Sequence, residues 1–205
     1  MLAFDETSLI EELAMMPNDA RVAFAAAAAT RQLAGYERFS RDCQLRPLVM
    51  ELWSAIKQSA VDDAAWSSRL DEVMGLLPEE SSDWSTGHAL AEDALSSLVY
   101  AIRCLLKPEP QEAAWAARRA YEAADQAAIR LSGLQPGIPT SEAAILAHEL
   151  VQRELSRQRI DLRLLRGGSF DDVERGSFQN HLLNEEETEA LLPSVSTGDT
   201  GSSPA

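Results

Sequence analysis

The chain of 205 residues is long enough for one domain with an appendage, and its 45% hydrophobic and 25% charged residues are ordinary for a globular protein. The formal net charge of −15 disfavours binding to the phosphates of nucleic acids. The longest small-apolar run, residues 23–29, is far shorter than the roughly 20 residues of a membrane span, and the N terminus lacks the basic and apolar parts of a secretory signal. We therefore expect a cytoplasmic protein without a membrane anchor.

Apolar residues recur at helical spacing along most of the chain, and no stretch alternates in the manner of a strand. This pattern predicts helices over residues 8–16, 46–60, 63–77, 87–106, 111–132 and 142–166, and a second helix that begins at residue 18. Gly35 either ends that second helix or only bends it, since the helical pattern resumes at Tyr36 and Phe39. Residues 171–183 carry a shorter and weaker helical pattern. The fifth helix is apolar over much of its circumference, which predicts a central position. The expected fold class is therefore all-α, a single-domain helical bundle of about seven helices with short loops.

The seventh predicted helix carries a seam of residues spaced alternately by four and by three. The seam consists of Ala144, His148, Val151, Leu155, Gln158, Leu162 and Leu165. This is heptad spacing over three heptads, which is typical of helices that pack on another helix. The seam favours self-association or the docking of a protein partner.

The C-terminal region is acidic. From Phe170 onward eight acids face one base, Arg175, so this region holds −7 of the net charge of −15. After residue 183 the sequence is acidic and then rich in Ser, Thr and Gly, a composition that cannot bury a core. We predict a helical domain over residues 1–183 and a disordered tail over residues 184–205.

The seventh predicted helix is also rich in arginine. The bases are Arg153, Arg157, Arg159, Arg163 and Arg166. A nucleic-acid-binding face is one interpretation. Acids interspersed among these bases, and the lack of neighbouring aromatic residues, favour intrahelical ion pairs or a clamp for the acidic tail instead.

Cys43 and Cys104 are the two cysteines, too few for a disulfide framework. Free cysteines are usually buried, so we expect reduced and inert core thiols. The alternative is a single bridge between two packed helices.

The start of the fifth helix brings together the side chains most suited to a polar site. His88 and Glu92 are one turn apart, and Asp93 is adjacent. A His and a carboxylate at this spacing can bind a metal. However, the Glu-x-x-His motif of di-iron bundles is absent from the sequence, and acids in a first helical turn complement the helix dipole in any case. We therefore predict no metal and no cofactor, and we keep these residues as the place where a dispersed catalytic pocket would form.

Two further residues are candidates for a contact or pocket. His148 lies on the seam, as a semi-buried structural histidine or, alternatively, as a base. Trp84 lies in the acidic loop PEESSDWSTG, where an aromatic side chain contacts a partner or packs as a lid over the fourth and fifth helices. No nucleophile elbow and no phosphate-binding loop occurs in the sequence. The sequence identifies no catalytic residue and favours a non-catalytic protein.

Several strings resemble a known family. The string RVAFAAAAATRQLAGYERFSRD followed by LVMELWSAI looks like the N-terminal half of the YjaG-like bacterial proteins, the domain of unknown function 416. AEDALSSLVYAIRCLL is similar to the first helix of the family's central pair, and ELVQRELSRQRIDLRLLRG to its long C-terminal helix. The resemblance covers about residues 5–180. It implies a compact all-α fold in a bacterial cytoplasm, but no activity and no catalytic residues, because the family is itself uncharacterised.

These patterns support three hypotheses about function. The favoured one is a non-catalytic protein-binding or scaffold module that self-associates or binds a protein partner. The first alternative is an acidic regulator, which would present carboxylates in place of phosphates to a nucleic-acid-binding protein. The second alternative is an enzyme whose dispersed pocket lies near His88 and Glu92.

Overall fold

A computed structural model describes residues 1–40, 45–58, 61–78 and 85–192, and these residues form ten α-helices and no β-strand. The helices are α1 (Glu6–Ala14), α2 (Asn18–Phe39), α3 (Leu45–Gln58), α4 (Asp63–Met74), α5 (Thr86–Leu106), α6 (Pro110–Ser132), α7 (Pro139–Ala147), α8 (Glu149–Arg166), α9 (Phe170–Gln179) and α10 (Glu185–Leu191). The all-α prediction is confirmed, whereas the predicted number of about seven helices is too low. No described helix combines the length and the apolar composition that crossing a membrane would require.

The seventh predicted helix is in fact two helices, α7 and α8, which meet at His148. The backbone of His148 is extended (φ −61°, ψ 142°), and its Nδ1 accepts a hydrogen bond from the Leu150 amide at 3.3 Å, so this residue caps α8. The heptad seam is therefore broken. Its members from residue 151 onward are buried inside the chain's own core, namely Val151, Leu155, Gln158, Leu162 and Leu165. The seam thus offers no free face for self-association.

The centre of the molecule is built from α2, α5 and α6. The predicted central position of α5 is correct, but α2 is equally central because it contacts α3, α5, α6, α8 and α9. Ala25–Ala29 are all buried, and a row of alanines on α6 is buried opposite them. Small side chains on both surfaces allow close packing, and Trp53 of α3 closes the core by donating its indole N–H to Thr30 at 3.0 Å.

The helices α3 and α4 form an outer layer. The first packs against α2 and the second against α5, and the two have few contacts with each other. Only Trp66 and Val73 of α4 are fully buried. α4 is therefore attached to the body along one narrow stripe.

The segment after residue 183, which was predicted to be disordered, contains a short helix, α10. Asn184 caps α10, and its Oδ1 accepts a hydrogen bond from the Glu187 amide at 2.8 Å. Glu187 is held by Arg153 of α8 at 2.6 Å, and Glu189 pairs with Arg38 of α2. Arg153 is thus a clamp for the acidic segment, as one interpretation of the arginine-rich helix predicted. The predicted tail beyond residue 192 lies outside the described residues.

Cys104 is fully buried, and burial raises the pKa of its thiol to about 12. A thiol in this environment is protonated and unreactive, as expected for a core cysteine. Cys43 lies outside the described residues, so its pairing stays a prediction.

Candidate functional site

His88 lies in the first turn of α5, where it completes a capping box. Its amide donates to Ser85 Oγ at 3.3 Å, and its Nδ1 accepts from the Ser85 amide at 3.2 Å. The imidazole also contacts the edge of Phe39, with ring centroids 4.9 Å apart. The surroundings of His88 are thus those of a residue that fixes the start of α5 against the end of α2.

Asp93 faces a different neighbour, α6. Its carboxylate accepts hydrogen bonds from Arg119 at 3.3 Å and from Gln126 at 3.2 Å, and only 2% of the residue is exposed. Burial raises the pKa of Asp93 to about 7, against the opposing effect of Arg119. Glu92 is half-buried beside it. The structure therefore separates His88 from Asp93, and the described residues contain no group of three or more potential metal ligands.

The other two predicted residues have different outcomes. His148 is half-buried and caps α8, so the prediction that it lies on a continuous seam is wrong. Trp84 lies outside the described residues, and its role as a contact or lid residue stays a prediction.

A cavity with a volume of about 800 Å³ lies between α3 and α4, and we call it the α3–α4 cleft. Its apolar lining consists of Tyr36, Leu45, Pro47, Leu48, Val73 and Leu76. It lies where α3, which packs mainly on α2, and α4, which packs mainly on α5, have few contacts with each other. No motif in the sequence marks it, since its walls come from three separate helices.

The charged residues of the α3–α4 cleft lie on both of its walls. Arg69 of α4 pairs with Glu72 one turn away at 3.1 Å and with Glu51 of α3 at 3.5 Å. The hydrogen bond to Glu72, together with the charge of Glu51, raises the pKa of Arg69. All three side chains are about half exposed, so these ion pairs are weak and can rearrange when a ligand enters.

A smaller cavity of about 240 Å³ lies beside His88 and shares Tyr36 and Leu76 with the α3–α4 cleft. The predicted residue His88 therefore does line a cavity. The described lining of this cavity contains no carboxylate, and Asp93 instead faces Arg119 of α6. An acid–base pair of the kind that an enzyme needs is not assembled here by the described residues.

A buried ionic cluster, which the sequence did not predict, joins α2 to α8. Arg31 donates to Glu154 at 2.8 and 3.0 Å and to Asp161 at 2.5 Å, while Gln158 donates to Glu154 at 2.9 Å. Burial lowers the pKa of Arg31, but the two carboxylates raise it by more, so the guanidinium stays charged. The sequence contains two indications of this cluster. One is an arginine, Arg31, close after the alanine run of α2, and the other is a pair of acids seven residues apart on one face of α8.

Comparisons with known proteins bear on the fold. No family model and no functionally characterised protein matches the sequence. The structure is similar to the crystal structure of a DUF416 family protein from Shewanella baltica OS155, with a TM-score of 0.70 and 15% identity over 83% of this chain and 93% of the other. At this identity the likeness establishes the fold alone. The resemblance to domain of unknown function 416 is thereby confirmed at the level of the fold.

Proposed function

We propose that this protein is a non-catalytic binding module whose α3–α4 cleft receives an apolar segment of a partner protein. The observation that carries the proposal is the shape of the cleft: a half-open cavity of about 800 Å³ between two helices that have few contacts with each other. Cavities of this size, mostly apolar and edged by a few charged groups, are typical of ligand sites. The open form favours an extended surface over a small enclosed molecule.

The chemistry of the partner can be inferred from the charge of α4. Asp62, Asp63, Asp71 and Glu72 are all exposed on or beside this helix, against the single base Arg69. A partner segment with apolar residues flanked by lysine or arginine would complement this surface. Association would then be steered by charge and would slow as ionic strength rises.

The exposed side chains on the two helices also suit a protein partner. Met50, Met74 and Leu76 are large apolar residues that are about half exposed on or directly after α3 and α4. Methionine adapts to irregular surfaces and is frequent at sites that bind protein segments. Leu76 lines the cleft, and Met50 and Met74 lie on the two helices that form its walls.

The fold likeness and the resemblance of the sequence strings support a place for this protein in the DUF416-like family, in a bacterial cytoplasm. The name of the structural neighbour states no activity, so it adds no substrate or partner. The alternatives of an acidic regulator and of an enzyme near His88 remain hypotheses with less geometric support.

The test places a photo-reactive amino acid at position 76 in the native cell. Leu76 lines the cleft and is 48% exposed, while Leu131, at the end of α6, is 37% exposed and provides a matched control. We expect one partner protein to be cross-linked from position 76 and not from position 131. The substitution Leu76→Glu should abolish its co-purification, whereas Leu131→Glu should leave it unchanged.

The proposal also requires a particular partner sequence. The cross-linked peptide of the partner should contain apolar residues with lysine or arginine on their flanks. Equal cross-linking from positions 76 and 131, or a cross-linked peptide rich in acids, would contradict it.

A further inference from the structure

A cavity of about 350 Å³ lies between α8 and α9, with Arg31 of α2 in its lining. It shares no lining residue with the α3–α4 cleft, so a ligand bound here would be independent of the proposed function. Four of its lining residues are charged on the α8 and α9 sides: Arg153, Arg157, Asp161 and Asp172. Their pairing decides what the cavity can bind.

Three of these four charged side chains have a partner of opposite sign. Asp161 is bound by Arg31 at 2.5 Å, Arg153 by Glu187 at 2.6 Å, and Asp172 pairs with Arg175. The charges of Asp161, Asp172 and Arg153 are therefore balanced within the protein. A ligand in the cavity gains little by pairing with any of them.

Arg157 is different. Its Nη1 donates to the backbone carbonyl of His181 at 2.7 Å, but no carboxylate of the described residues lies within ion-pair distance of it. The acids one turn away on either side, Glu154 and Asp161, are both committed to Arg31. Its Nε and Nη2 have no acceptor among the described residues and are not buried, so they are open to a ligand.

The electrostatic surroundings of Arg157 also favour the binding of an anion. Burial lowers the pKa of this guanidinium, and so do the charges of Arg31 and Arg153. Glu154 and Asp161 raise it, but by less in total. A partly buried cation is stabilised most by a carboxylate that takes two parallel hydrogen bonds. Among the charged described residues that line the cavity, Arg157 alone lacks an oppositely charged partner, so a singly charged anion balances it, whereas a doubly charged phosphate would leave a negative charge in excess.

We propose that this cavity binds a small aliphatic carboxylic acid. The carboxylate accepts hydrogen bonds from Nε and Nη2 of Arg157, and the alkyl chain packs against Ile160 and Leu164. Both of these side chains line the cavity and are partly exposed, so a ligand would cover apolar surface that water now contacts. The volume of about 350 Å³ is at the lower end for ligand sites, which favours a short chain.

The experiment titrates the full-length protein with sodium hexanoate and follows the heat of binding together with the Nε–H resonance of Arg157. We expect saturable binding of one hexanoate per chain and a shift of that resonance. The uncharged analogue 1-hexanol should bind at least roughly tenfold more weakly, because its single hydroxyl carries no charge and cannot accept two parallel hydrogen bonds from the guanidinium.

Two variants and one control complete the test. Arg157→Gln should weaken hexanoate binding by roughly tenfold or more, while Arg163→Gln, which removes the same charge from an exposed position of α8, should change it less than about twofold. Because Arg157 also holds His181, a second variant leaves it in place: Ile160→Asp adds a negative charge at a partly exposed wall and should also weaken binding. Undetectable binding, binding that survives Arg157→Gln, or equal affinity for hexanol would overturn the proposal.

Discussion

The inner helices α2, α5 and α6 and the outer helices α3 and α4 differ in how completely their side chains are buried. In α2 the whole run Ala25–Ala29 is buried, because α2 has neighbours on every side and small side chains let them approach. In α4 only Trp66 and Val73 are buried, because α4 packs mainly on α5. Small residues let the inner helices pack closely, whereas α3 and α4 have few contacts with each other and leave a cleft between them. The closely packed inner helices supply stability, and the α3–α4 cleft is the binding surface that we propose.

The two regions even contain the same charge motif, one arginine between two acids. Inside, Arg31 joins Glu154 and Asp161 with all three side chains at most 10% exposed. Outside, Arg69 joins Glu51 and Glu72 with every side chain more than 40% exposed. Each motif carries one positive and two negative charges, so the main difference between them is burial. This difference can be measured directly.

The largest effect is expected from removing the inner arginine. Arg31→Met keeps the volume but leaves Glu154 and Asp161 buried without their cation, which should lower the free energy of unfolding by about 3–5 kcal/mol. The outer counterpart Arg69→Met should cost no more than about 1 kcal/mol, because water screens exposed pairs. Urea unfolding at neutral pH, followed by circular dichroism, gives both values.

The same measurement has an informative further variant. Adding Glu154→Leu and Asp161→Leu to Arg31→Met removes the uncompensated acids and should restore part of the lost stability. Similar losses for Arg31→Met and Arg69→Met would show that burial does not distinguish the two motifs.

Asp93 is a second buried acid, and its partners Arg119 and Gln126 do not fully offset the cost of burying its charge. The free energy of unfolding should therefore depend on pH. Burial raises its pKa in the folded protein to about 7, from an unfolded value near 3.8. Between these values the folded state binds a proton that the unfolded state lacks, so the free energy of unfolding falls as pH rises from about 4 to 7 and then levels off. The total change is at most about 4 kcal/mol, from about 1.4 kcal/mol per pKa unit.

The substitution Asp93→Asn isolates this contribution. It should flatten the dependence between about pH 4 and 7 and raise stability at the alkaline end, while Arg119 and Gln126 keep a polar partner. Other acids whose pKa is raised, Asp125 and Asp161, remain in both proteins, so they cancel in the difference. Parallel curves for the two proteins would show that Asp93 is ionised throughout.

Sequence patterns predicted most of the fold where large apolar residues mark a helix face. The broad apolar arc of α5 correctly indicated its central place, but the alanines of α2 and α6 carry too little hydrophobicity to show how deeply these helices are buried. The break at His148 was missed because no glycine or proline marks it. The segment after residue 183 was predicted as disordered from its glutamates, although Asn184 and Glu187 form a readable capping box.

The candidate site was less predictable for a geometric reason. His88 and Asp93 are five residues apart, which separates them by about 140° around a helix, so they face different neighbours. The α3–α4 cleft depends on which helix each wall packs against, and this is tertiary information. Arg157 is distinguished only by the fact that Arg31 takes both of its local acids.

The smallest effect we predict concerns the contact between two inner helices, the end of α2 and the first turn of α5, at Gly87. A Cβ at this position would lie 2.3 Å from Phe39 Cδ2 and 3.1 Å from Leu192 Cδ2. Gly87→Ala must therefore displace the ring that joins the end of α2 to α5, and it should cost about 1–3 kcal/mol. Thermal and urea unfolding measure the loss.

Gly35 is the matched control, because it lies inside α2 and a Cβ there would meet nothing within 4 Å. Gly35→Ala should stabilise the protein by up to about 1 kcal/mol, since alanine loses less backbone entropy than glycine in a helix. The two identical substitutions should thus change stability in opposite directions. If both substitutions stabilise the protein, Phe39 can move away from α5 at little cost in free energy. The end of α2 is then packed as loosely as the outer helices α3 and α4.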